Sequence, residues 1–219
     1  MSIEARPLAI ITQRVEFVAS HGERRDALDQ GWAALLDAAG CDLAPMPNHP
    51  GTALSLARRL KPVLLILSGG NGVMPGKPGH APERNATEAT LLDWAGAVGV
   101  PVLGVCRGFQ FMNVHLGGGL SPVSGHVASY HAISSDTGLF PEVNSYHDYG
   151  IVADDLAPSL EVVATGPDGT VEAARHGTLP WIGVMWHPER AMPDAAGNRS
   201  WLAGLVREAA ETRRISFGD

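Results

Sequence analysis

The pentapeptide Gly104-Val105-Cys106-Arg107-Gly108 presses a cysteine between glycines where an apolar run, Val102 to Val105, gives way to a helix-like pattern. Small-x-nucleophile-x-small is the form of a nucleophile elbow. A strand turns sharply into a helix, the nucleophile sits strained at the apex, and flanking side chains would clash, so glycine stands there. A helix N-terminus favours a thiolate. The backbone N–H of the next residue, Arg107, points where an oxyanion would form. A buried cysteine in a tight turn is the competing reading of so short a motif.

A thiol nucleophile needs a base, and the base needs an orienting acceptor. Val184-Met185-Trp186-His187-Pro188-Glu189 supplies both after an apolar strand. In extended chain, residues i and i+2 face the same way, so Glu189 can hold His187. A third segment, Leu67-Ser68-Gly69-Gly70, ends another apolar strand in a turn whose bare N–H groups offer a second oxyanion donor.

These pieces need a scaffold that brings them to one edge. Apolar runs at Pro7–Gln13, Asp42–Met46, Val63–Leu67 and Val102–Val105 alternate with helical patterns at 25–39, 52–60, 85–98 and 107–116. Asn71 to Pro82 reads as a Gly/Pro-rich loop. Near-continuous apolar strands separated by helices predict an α/β fold with a parallel sheet covered on both faces. Strands at 161–165, 170–174 and 181–185, joined by turns such as Gly166-Pro167-Asp168-Gly169, predict antiparallel additions in the C-terminal half. A closing helix is expected over 198–212. The 219 residues are read as one domain, 1–219.

The net charge of −7 provides no basic field for nucleic acid. No apolar run approaches a bilayer span. The N-terminus, MSIEARPLAIITQR, lacks the pattern of a signal peptide, and two cysteines make no disulfide framework, so a reduced, cytoplasmic location is expected. His115, His126, His131 and His147 lack a ligand spacing, and no metal or cofactor is expected. Cys41 reads as structural, and Trp32, Trp94 and Trp201 as core residues.

The three pieces in this order resemble the class I glutamine amidotransferase superfamily, and the resemblance covers nearly the whole chain. It implies a flavodoxin-like three-layer sandwich with Cys106 as nucleophile, His187 as base and Glu189 as its orienter. It also implies Gly70 and Arg107 as oxyanion donors through their N–H groups, and Gln110 as a contact to a glutamyl substrate. Within it, Arg84-Asn85-Ala86-Thr87-Glu88, the stretch PVLGVCRGFQFMNVHLGGGL and Asn144-Ser145-Tyr146-His147 resemble the γ-glutamyl hydrolase, peptidase C26-like, branch. That branch places Ser145, Tyr146 and His147 near the glutamyl group. Asn85 departs from the aspartate usual there.

Ile11-Thr12-Gln13-Arg14, Arg25-Asp26-Ala27-Leu28-Asp29 and Ser145-Tyr146-His147 further resemble the γ-glutamyl-CDP-amidate hydrolases of capsule phosphoramidate assembly. The resemblance implies cysteine-dependent hydrolysis of a γ-glutamyl amide through a thioester, on a small, nucleotide-linked substrate. Arg107 and Arg14 are the foremost candidates to meet a diphosphate, with Arg24 and Arg25 behind them. A γ-glutamyl-γ-aminobutyrate-type hydrolase and a glutaminase subunit feeding ammonia to a separate synthase are the alternatives. Homo-oligomerisation stays open.

Overall fold

The computed structural model describes residues 6–76, 79–135 and 142–217. Parts of the N-terminal reading (1–5) and of the 71–82 loop (77–78) lie outside them. In chain order the elements are β1 (Leu8–Thr12), β2 (Arg14–Val18), β3 (Glu23–Ala27), α1 (Gly31–Ala38), β4 (Asp42–Met46), α2 (Pro50–Leu60), β5 (Leu64–Leu67), α3 (Pro82–Val98), β6 (Val102–Val105) and α4 (Arg107–His115). There follow β7 (Ser121–Pro122), β8 (Val127–Ala132), β9 (Ser134–Ser135), β10 (Glu142–Tyr146), β11 (Tyr149–Gly150), β12 (Leu160–Thr165), β13 (Val171–His176), β14 (Trp181–Val184) and α5 (Ala195–Phe217).

An eight-stranded sheet runs β4-β1-β5-β6-β14-β13-β12-β9. The first five strands are parallel and the last three add antiparallel. Side-chain alternation explains why the parallel strands are apolar throughout. Ala9, Ile11, Leu64 and Ile66 pack on one face with Trp32 and Leu36 of α1 and Leu202 and Val206 of α5. Ile10, Leu65 and Leu67 pack on the other with Ala53 of α2, Leu91 of α3 and Phe109 of α4. The result is the three-layer, flavodoxin-like arrangement.

One helix is shorter than the pattern predicts. Residues 23–27 form β3, paired antiparallel with β2 in register Arg14↔Ala27 to Val18↔Glu23, and the helix begins only at Gly31. Asp29 Oδ1 accepts the Gly31 N–H at 2.9 Å, a local turn that breaks the helix before its apolar face begins. Between 121 and 150, where the sequence pattern is silent, β10 pairs with β8 and β11 with β7. No helix among the described residues is long and apolar enough to cross a membrane.

Candidate active site

β5, β6 and β14 are neighbours in the sheet, and the three chemical segments leave their carboxyl ends. Cys106 follows β6 with φ 50° and ψ −107° and caps α4. That backbone is rare for a residue with a Cβ and holds about 1–3 kcal/mol of strain. Its N–H donates to the Val184 carbonyl at 2.7 Å, which ties the elbow to β14. Both flanking glycines are required by close approach. A Cβ on Gly104 would meet the Phe109 backbone at 2.9 Å, and one on Gly108 would strike the Leu67 carbonyl. Arg107 is the first helical residue, so its N–H lies outside the helix's own hydrogen-bond ladder.

His187 follows β14 and is 3% exposed. Its Nδ1–H donates to Glu189 Oε1 at 2.7 Å, which leaves Nε2 for a reacting group. Burial lowers the His187 pKa, but the charge and hydrogen bonding of the Cys106 sulfur and the Glu189 carboxylate outweigh it and carry it up to about 9. The protonated form of His187 is thereby favoured. The His187 peptide is clamped by Asn144, which accepts its N–H at 2.8 Å and donates to its carbonyl at 2.9 Å. The Tyr146 ring stands edge-on to the imidazole at 5.6 Å.

The Ser68-Gly69-Gly70 turn lies against His187 and is held by a buried arginine. Arg84, with no exposed surface, donates to the carbonyls of Ser68, Gly69 and Gly70 and to Ser68 Oγ. Its Nε donates to Glu88 Oε1 at 2.9 Å, and that oxygen also accepts from Thr12 Oγ1 at 2.7 Å. Burial lowers the Arg84 pKa to about 9, Arg14 adds to the lowering, and the Cys106 sulfur acts the other way. One carboxylate thus stands between two buried guanidiniums, because Arg107 pairs with the other oxygen of Glu88.

With this geometry in hand, residues 26–198 match the family model Glutamine amidotransferase class-I. The chain belongs to the class-I glutamine amidotransferase family. It is 29% identical over 185 residues to a gamma-glutamyl-CDP-amidate hydrolase of Campylobacter jejuni, covering 82% of this chain and 88% of that one. It is 31% identical over 182 residues to a gamma-glutamyl-gamma-aminobutyrate hydrolase of Escherichia coli O157:H7, covering 68% of this chain and 70% of that one. The fold is similar to that of a glutamine amidotransferase of Thermotoga maritima, with TM-score 0.64 and 16% identity over 97% of this chain and 89% of that one.

Several residues of this family member stand where the sequence reading does not put them. The Arg107 guanidinium is buried on Glu88 and Asn85, so it cannot meet a diphosphate. Asn85 is suited to that place as a neutral acceptor, and its amide donates to the Val73 carbonyl at 2.9 Å. Arg24 and Arg25 form exposed ion pairs with Glu83 and Glu23. Arg14 also pairs with an exposed carboxylate, Glu16, at 3.3 Å, and it lines a surface cavity with Gly69, Gly70, His187 and Glu189.

Gln110 is buried in the first turns of α4, and its amide donates to the Tyr149 carbonyl at 2.6 Å. Ser145 lies in β10 and His147 just after its end. Ser145 Oγ donates to the His126 carbonyl at 2.7 Å, and His147 Nδ1–H donates to the Tyr149 carbonyl at 3.0 Å. Burial brings the His147 pKa down to about 4. Their side chains are turned into the protein, and Tyr146 is the member of the trio beside His187. Arg84 and Asn144, which build the site without reacting, are absent from the sequence-derived site; the RNATE and NSYH motifs contain them but give no hint of what they hold.

Proposed function

We propose that this chain is a cysteine-dependent γ-glutamyl amide hydrolase, with γ-glutamyl-CDP-amidate as its substrate. The observation that carries the reading is the strained Cys106 elbow set beside the His187–Glu189 pair and the Ser68-Gly69-Gly70 turn. The similarity to the Campylobacter jejuni hydrolase supports the choice of leaving group. Arg14 at the cavity beside His187 offers a guanidinium to a phosphate. The setting would be the cytoplasm and the assembly of a surface polysaccharide.

In this mechanism the Cys106 sulfur attacks the γ-carbonyl carbon and the carbonyl π-electrons move onto oxygen. The N–H groups of Arg107 and Gly70 receive that oxyanion, each such donor being worth about 3–4 kcal/mol in reactions of this type. As the tetrahedral centre collapses, the C–N bond breaks and His187 gives its Nε2 proton to the departing nitrogen. A γ-glutamyl thioester remains. His187, now neutral, takes a proton from water, and hydroxide addition releases glutamate and the thiolate. Glu189 holds the ring in the required tautomer throughout.

The test is a side-by-side assay of γ-glutamyl-CDP-amidate, γ-glutamyl-γ-aminobutyrate and glutamine. Glutamate release is expected to be fastest from the nucleotide. Faster release from γ-glutamyl-γ-aminobutyrate would move the chain to that hydrolase type. Preference for glutamine, stimulated by a separate synthase, would make it a glutaminase subunit.

A further inference from the structure

Away from Cys106, three histidines converge on one buried carboxylate. Glu172 Oε1 is 3.5 Å from His126 Nδ1, 3.3 Å from His131 Nε2 and 3.8 Å from His147 Nε2. Glu172 has no exposed surface, and His126 and His147 are 4% exposed. Facing atoms of His126, His147 and Glu172 all lie within 4.8 Å of one another. The three facing nitrogens and Glu172 Oε2 are buried without a hydrogen-bond partner.

The outer nitrogens explain why this matters. His126 Nε2–H donates to Asp168 Oδ2 at 2.9 Å, and His147 Nδ1–H donates to the Tyr149 carbonyl at 3.0 Å. In a neutral ring so arranged, the inner nitrogen carries a lone pair and no proton. Lone pairs aimed at a carboxylate repel, and a cation among them turns the repulsion into coordination. An outward N–H held by a carboxylate or a carbonyl is the arrangement that orients metal-binding histidines. The nitrogen distances to Glu172 Oε1, 3.3–3.8 Å, are close to what an ion needs, since tetrahedral bonds of about 2.0–2.2 Å place neighbouring ligand atoms about 3.3 Å apart.

We infer that His126, His147 and Glu172, with His131 beside them, bind a divalent transition ion of the zinc class. Nitrogen and carboxylate donors in a compact buried set suit zinc better than magnesium or calcium. The ion would fasten the start of β8 to the chain after β10 and to β13. It would also fix the Tyr149 carbonyl, which His147 and Gln110 share as acceptor. The site does not depend on the substrate assignment.

The test uses untagged protein carrying Cys106→Ala, so that the thiol and His187 cannot themselves hold the ion. Stripped protein is dialysed against Zn²⁺, and bound metal is counted by mass spectrometry while thermal unfolding is followed with and without chelator. One Zn²⁺ per chain and a higher Tm with Zn²⁺ are expected. Asp168→Asn is the decisive variant because Asp168 lies at the surface and its other oxygen can still serve the turn. An amide there makes His126 Nε2 an acceptor and moves its proton to Nδ1, so affinity should fall about 10–100-fold, and the rise in Tm that Zn²⁺ gives over the same protein in chelator should shrink. Glu172→Gln should weaken binding further. Substoichiometric Zn²⁺, or equal affinity in the parent and both variants, overturns the proposal and leaves a histidine–glutamate hydrogen-bond cluster only.

Discussion

The His187 imidazole lies against the α-carbon of Gly69, so closely that a Cβ at residue 69 would sit 2.5 Å from its Cε1. The turn and the base therefore position each other. Gly69→Ala must push the ring away from Cys106 or distort the turn. A displacement of about 1 Å in such a site costs about 100-fold in rate. We expect that loss in kcat, with an unchanged circular dichroism spectrum.

The two cysteines should separate cleanly under a glutamine-analogue electrophile. Burial pushes the Cys41 thiol up to about 11, and its sulfur donates to the Asp42 carbonyl at 3.4 Å. Mass spectrometry is expected to find the adduct on Cys106 alone. Cys106→Ala should abolish turnover, whereas Cys41→Ala should leave it near the parent value.

The raised His187 pKa has a definite sign. A group whose pKa rises on folding stabilises the fold fully below its unfolded value, near 6.5, and that contribution disappears as pH climbs through about 9. Turnover should fall over the same alkaline range, because the departing nitrogen needs the His187 proton. In Cys106→Ala the largest interaction raising that pKa is gone. Imidazole NMR should then show His187 titrating at lower pH.

Glu88 is shared by Arg84 and Arg107, all three buried. Glu88→Gln leaves two guanidiniums without their carboxylate. Removing one partner of a buried ion pair costs about 3–5 kcal/mol. Urea denaturation should show a loss of that size, while Glu23→Gln, in an exposed pair with Arg25, should barely move the midpoint.

Arg14→Ala should lower kcat/KM for γ-glutamyl-CDP-amidate by at least about 10-fold, a charge-assisted hydrogen bond being worth about 1.5–3 kcal/mol. Glutamine should be hydrolysed as before. An equal loss on both substrates would show that Arg14 serves the turn at Gly70 rather than a phosphate.

The meeting of Cys106, His187 and Glu189 at one edge of the sheet is legible in the sequence because each motif is local and each ends an apolar strand. The parallel sheet is legible for a related reason: strands covered on both faces, such as Leu64–Leu67, are apolar at every position. Helix α1 is misjudged at its start because Arg25 to Ala39 keeps a rough helical spacing, while the Asp29–Gly31 turn and cross-strand pairing with β2 decide otherwise. The diphosphate role of the Arg107 side chain is misjudged because its neighbour in sequence is Cys106 but the neighbour of its guanidinium in space is Glu88. The histidine cluster is invisible to spacing, since β8, the segment after β10 and β13 meet only once the fold is formed. His131 lies opposite Val143 in the β8–β10 pair, a register that no short motif encodes.

The hydrogen bond from Cys106 N–H to the Val184 carbonyl joins two strands that are far apart in the chain yet parallel neighbours in the sheet. Thiol and base therefore come together only after the whole intervening segment has closed on itself, an event of high contact order and slow by nature. During refolding, helical signal should return early and reactivity toward the electrophile late. The thiol thus serves as a built-in clock for the last stage of assembly.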